Sequence, residues 1–142
     1  MKDDWRLPLN FFFTVDFQWE GTHASAPFSE VSGLKISMPR DWEKVDNPST
    51  QLPVPEDLVL KRPVEPSGDP VSDWVNRCLR LGQLERCQLV IKLENAQHEI
   101  AAAWRCSKAY PVNWELSPLD AKDSRLATET FTLMYGSLTR TQ

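Results

Sequence analysis

The chain has 142 residues, 41% of them hydrophobic and 25% charged, with a formal net charge of −4. That size bounds it to about one domain with a core of its own, and the acidic balance argues against a nucleic-acid clamp, which needs a basic stripe. No apolar run is long enough to span a membrane, and Met1-Lys2-Asp3-Asp4-Trp5 leads into no apolar stretch of the kind that marks a secretory signal.

Eleven prolines against five glycines predict short segments separated by stiffened loops, which suits a mostly β plan. From Phe11 to Glu20 the chain alternates. Phe11, Phe13, Val15, Phe17 and Trp19 share one face, and Thr14, Asp16, Gln18 and Glu20 share the other. Period two marks a half-buried strand. Gly21 to Pro27 reads as a polar turn region. Phe28 to Met38 resumes strand character, with Leu34, Ile36 and Met38 in step and Gly33 marking a bulge or a close backbone approach. Pro39 to Glu56 holds four prolines and no sustained period, and is expected to be a short strand (Trp42 to Val45) followed by an extended loop. Leu58 to Arg62 is a short apolar strand stopped by Pro63, and a linker runs from Val64 to Gly68.

The spacing predicts one helix over about 70–81. Asp69 is the N-cap and Pro70 stands at the first helical position, where its missing N–H costs nothing. Val71, Trp74, Val75, Cys78 and Leu79 fall on one face. Gly82 supplies a left-handed stop. Glu85 to Leu93 and His98 to Cys106 alternate again, joined by Glu94-Asn95-Ala96-Gln97 as a hairpin loop. Val112, Trp114 and Leu116 mark a further strand, and Leu126 to Tyr135 is the last. On that strand Thr128, Thr130 and Thr132 line one face; Ala127, Phe131, Leu133 and Tyr135 line the other, with Glu129 among them. About seven strands and one helix describe a mainly β domain, a small barrel or sandwich with a helix packed on it, spanning residues 1–142 as a single unit.

Chemistry finds little support. Cys78, Cys87, His98 and Cys106 are spaced too widely and irregularly for a zinc ribbon or finger, so core thiols are expected and no metal. Ser32 precedes Gly33 without a nucleophile-elbow context, His23 and His98 read as surface residues, and the scattered glycines form no phosphate loop. No catalytic residue and no cofactor are assigned. A buried Glu129 needs a cationic partner, an Arg across the sheet or across a subunit boundary. The Thr face of the last strand fits either a solvated surface or a wetted, weakly gripping wall.

Three blocks carry a resemblance: Phe28-Ser29-Glu30-Val31-Ser32-Gly33-Leu34, Asp57 to Pro63 containing Leu58-Val59-Leu60-Lys61-Arg62, and Trp104 to Leu138 with its Ala109-Tyr110-Pro111 step, its Pro118 to Ala121 turn and its acidic strand. With the Leu7-Pro8-Leu9-Asn10 lead and the central helix Trp74, the chain from Pro8 to Leu138 resembles the tail-tube proteins of contractile phage tails and related injection systems, which share the haemolysin-coregulated-protein fold. The resemblance implies a β-barrel of two packed antiparallel sheets with one helix, forming homo-hexameric rings that stack into an inner tube. It implies sheath and baseplate proteins as partners, cargo or DNA in the lumen, assembly in the bacterial cytoplasm, and neither catalysis nor membrane insertion. Subunit or ring contacts are expected at Trp42, Val45, Leu52 and Glu129. The stretch from Trp42 to Leu58 is short for the family, Pro63 replaces a glycine, and Tyr135-Gly136 stands where His-Glu-Gly is usual. Shortening implies altered stacking, as in an initiator ring seated on a baseplate. The alternative is a small soluble ligand-binding β-barrel; a small hydrolase lacks a catalytic set.

Overall fold

The computed structural model describes residues 11–36, 56–64, 68–122 and 127–142. Eight strands and one helix follow in the order β1 (Phe12–Trp19), β2 (Thr22–Phe28), β3 (Glu30–Ser32), β4 (Glu56–Pro63), α1 (Pro70–Leu81), β5 (Cys87–Glu94), β6 (Ile100–Leu116), β7 (Thr128–Tyr135) and β8 (Ser137–Arg140). All pairings are antiparallel. Their order is β2-β1-β5-β6-β7-β4-β3, with β8 added to β6.

Two strands give the barrel its corners. Ile100 to Ala109 of β6 runs beside β5, and Tyr110 to Leu116 runs beside β7, so one long strand serves two sheets. At the opposite corner β2 leaves β1 and, after Ser29 alone, becomes β3 on β4; the Ser29 N–H donates to the Lys61 carbonyl at 2.9 Å. The ladder is therefore two sheets joined at corners rather than an unbroken circle. One sheet is β2-β1-β5-β6-β8 and the other is β6-β7-β4-β3.

Several sequence expectations change. Of the turn expected over Gly21 to Pro27 only Gly21 is turn, and Thr22–Phe28 is strand β2: Trp19 pairs with Thr22 across a two-residue hairpin whose Gly21 has φ 78°. Its inward residues Ala24 and Ala26 are too small to announce an apolar face, and Pro27 sits where the outer edge needs no donor. Of the strand expected over Phe28 to Met38, Phe28 ends β2, Glu30–Ser32 is β3, and Ser37 and Met38 lie outside the described residues. Gly33 to Ile36 leaves the ladder, and Ile36 is 79% exposed. Glu56 and Pro63 both belong to β4. Glu94 closes β5, and the hairpin loop runs over Asn95–Glu99, where the Asn95 carboxamide oxygen accepts from the N–H groups of Gln97 and Glu99. The two strands expected over His98–Cys106 and Val112–Leu116 are one. Lys108 (φ 54°) and a register shift between Pro111 and Asn113 reset the alternation inside it, which broke the pattern in two. Past Gly136 the chain adds β8. Trp42–Val45, the loop that follows it, and the lead before Phe11 lie outside the described residues.

The helix follows its signals. The Asp69 side chain accepts from the Ser72 N–H, Pro70 opens the helix, and Gly82 ends it at φ 70°. Val71, Trp74 and Val75 are buried; Leu79, expected with them, is 40% exposed. Trp74 packs edge-on against Phe17 at 5.9 Å and Trp19 at 5.7 Å, and its indole N–H donates to the Glu85 carbonyl at 2.7 Å. Aromatic contacts of this kind add about 0.5–1.5 kcal/mol beyond their burial. The core between the sheets is Val15, Phe17, Leu89 and Ile91 from one side and Leu58, Leu60, Phe131 and Leu133 from the other.

Candidate assembly surfaces

The last inward residue of β4 is an arginine. Alternation sends Leu58, Leu60 and Arg62 to the same face, and Arg62 is 3% exposed. Across the ladder it pairs with Glu129 of β7. Its Nε donates to Glu129 Oε2 at 2.8 Å, its two terminal nitrogens donate to both Asp69 carboxylate oxygens at 2.7 and 3.0 Å, and one also reaches Ser72 Oγ at 3.1 Å. The guanidinium carbon lies 5.4 Å from the Phe28 ring centre and 5.2 Å from that of Phe131. One planar fork thus ties β4, β7 and the start of α1 together. Glu129 finds its arginine inside the chain, and its second oxygen accepts from the Trp114 indole N–H at 3.0 Å. Sequence reasoning identified the need for an arginine but missed Arg62, Asp69 and Trp114 as the set.

Burial alone would lower the Arg62 pKa, but the hydrogen bonds and charges of Asp69 and Glu129 outweigh it and raise the value. Burial alone would raise that of Asp69; the Arg62 contact and the Ser72 N–H outweigh it and hold the carboxyl below its ordinary 3.8. A folded-state pKa below the unfolded one adds stability that is present above the unfolded value and lost as pH falls through the folded one. The thermal midpoint is therefore expected to fall between about pH 5 and pH 2, and to fall less steeply in Asp69→Asn, which keeps an N-cap acceptor but does not titrate. Parallel pH profiles for the two proteins, measured by circular dichroism, would show that Asp69 contributes nothing.

Trp114 projects from this hub. It is 44% exposed and, with Val75, Leu79 and Phe131, floors an open hollow of ≈ 630 Å³ between α1 and the β6–β7 ladder, rimmed by Asp73 and Arg80. A pinned neck lies at the other end of β4 and β7. The Tyr135 hydroxyl donates to the Gly33 carbonyl at 2.9 Å and accepts from the Lys35 N–H at 3.1 Å. Lys35 Nζ lies 3.4 Å from the Glu56 carboxylate, and Gly33 packs against the backbone of Asp57. Gly33 and Lys35 are thereby held beside Glu56 and Asp57.

The outer face of the β2-β1-β5 ladder is polar and internally satisfied. Lys92 Nζ lies 2.7 Å from Asp16, the Ser25 hydroxyl donates to the same carboxylate, and Gln88 Nε2 donates to Gln18 Oε1 at 3.1 Å. On the outer face of the other sheet Thr128, Thr130 and Thr132 are half-buried beside Lys61, which pairs with Glu30 at 3.3 Å. In the first sheet β2 and β8 are the terminal strands.

Catalytic and metal chemistry has little to work with among the described residues. No group of three or more His, Cys, Asp or Glu side chains converges on a cation site. Cys87 and Cys106 are buried free thiols. Burial pushes Cys106 up to about 12 and Cys87 further, so neither forms a thiolate near neutral pH. His23 is exposed on the edge strand, His98 is exposed in the hairpin loop, and Ser32 ends β3. Among the described residues no helix is long and apolar enough to cross a membrane. Of the residues expected at subunit contacts, Glu129 points into the fold; Trp42, Val45 and Leu52 lie outside the described residues.

Comparison with known proteins agrees with this architecture. No curated protein matches the sequence. Among solved structures, a chain in the baseplate of the anti-feeding prophage superposes with a TM-score of 0.69 at 22% identity, covering 96% of this chain and 96% of that one. A chain in the extended sheath–tube complex of the extracellular contractile injection system PVC gives 0.68 at 22% identity, covering 97% and 93%. Hcp1 from Flavobacterium johnsoniae gives 0.54 at 14%, covering 89% and 93%. These likenesses show the fold. The sequence itself matches the family described as T4-like virus tail tube protein gp19 over residues 9–139, nearly its whole length, and the chain belongs to that tail tube family.

Proposed function

We propose that the chain is a ring-forming structural subunit of the inner tube of a contractile phage tail or phage-tail-like injection particle. The match to the tail tube family over residues 9–139 carries this reading. Six copies form the ring, and rings stack into a conduit that meets sheath and baseplate proteins. Fold neighbours taken from a baseplate and from a sheath–tube complex support those partners. The outer edges of β2 and β8, unshared among the described residues, support lateral strand addition, since closing a ring removes edges that would otherwise aggregate. The internally bonded face of Asp16, Ser25, Lys92, Gln18 and Gln88 suits the lumen, because side chains already satisfied by one another offer a passing cargo or DNA little to bind. Trp42, Val45 and Leu52 remain ring-contact residues in this reading, and Glu129 acts through Trp114. The short stretch before β4 favours the specialised ring seated on a baseplate. Assembly takes place in the bacterial cytoplasm, and the subunit performs no catalysis.

Light-scattering mass and negative-stain electron microscopy on one purified sample test the proposal. Rings with six times the 16.3 kDa subunit mass are expected. Long tubes formed by the chain alone would indicate the bulk tube protein, and single rings the initiator. A persistent monomer that takes up a small ligand would replace the tube with a binding barrel.

A further inference from the structure

We draw no further inference here: the strongest candidate, the apolar hollow that Val75, Leu79, Trp114 and Phe131 floor between α1 and the β6–β7 ladder, is an unpartnered face, and nothing in the structure shows what covers it.

Discussion

Replacing Arg62 with Met is expected to cost about 3–5 kcal/mol, since removing one member of a buried charged set leaves the others unpaired. Arg62 is 3% exposed, and Glu129 and Asp69 both depend on it. Methionine keeps the apolar stem and roughly the volume, so cavity formation contributes little. What remains is a Glu129 carboxylate at 5% exposure with only the Trp114 N–H to satisfy it. A domain of this size is stable by about 5–15 kcal/mol, so the loss is a large share of the total. Urea denaturation followed by tryptophan fluorescence measures it. Arg62→Lys is expected to recover only part, because an ammonium cannot serve Glu129 and both Asp69 oxygens in one plane. The combined Arg62→Met/Glu129→Gln/Asp69→Asn protein separates charge from packing. It removes every unpaired charge, and should regain most of what the single change loses. A single Arg62→Met protein within about 1 kcal/mol of wild type would show that the fork does not couple the sheet to the helix.

The same fork shows what a sequence states and what it withholds. The helix was legible end to end, because Asp69, Pro70 and Gly82 act locally, each within a turn of the backbone it caps. Strand β1 was legible because its large residues alternate without interruption. Glu129 announced its need for a cation by standing alone on an apolar face. Its partner was hidden, because Arg62 is 67 residues away and its own alternation with Leu58 and Leu60 is apparent only once Leu58 to Arg62 is taken as an inward row. Strand β2 was lost for lack of bulk at Ala24 and Ala26. Continuous β6 was lost because a positive φ at Lys108 shifts the phase of everything after it. The hollow under Trp114 was illegible for a further reason. It lies where a helix face and a strand end meet, and no local pattern records which of Leu79 or Val75 the sheet will cover.

Gly33→Ala is expected to be the most damaging single-methyl change on the surface. The φ of Gly33 is +97°, which an alanine adopts only with strain of about 1–3 kcal/mol. A Cβ there would also lie 2.1 Å from the Asp57 carbonyl oxygen, 3.1 Å from its carbon and 3.2 Å from Leu58 Cα. All three are backbone atoms, so no side chain can swing aside. Either β3 separates from β4 at the Ser32–Val59 pair, or Gly33 and Lys35 lift away from Tyr135. Forced overpacking of this kind adds about 1–3 kcal/mol. Gly21→Ala is the matched control. Its φ is +78°, but nothing lies within 4 Å of the added methyl, so it carries the conformational cost without the collision. The difference between the two variants in urea-unfolding free energy therefore isolates the close approach, and is expected to be at least about 1 kcal/mol, with Gly33→Ala the less stable. Equal losses would place the whole cost in φ, and the neck would then be an ordinary turn. A larger loss for Gly33→Ala, with the Tyr135 hydroxyl freed to solvent, would show that one hydrogen in place of a methyl lets β3 lie against β4 and keeps Gly33 and Lys35 on Tyr135.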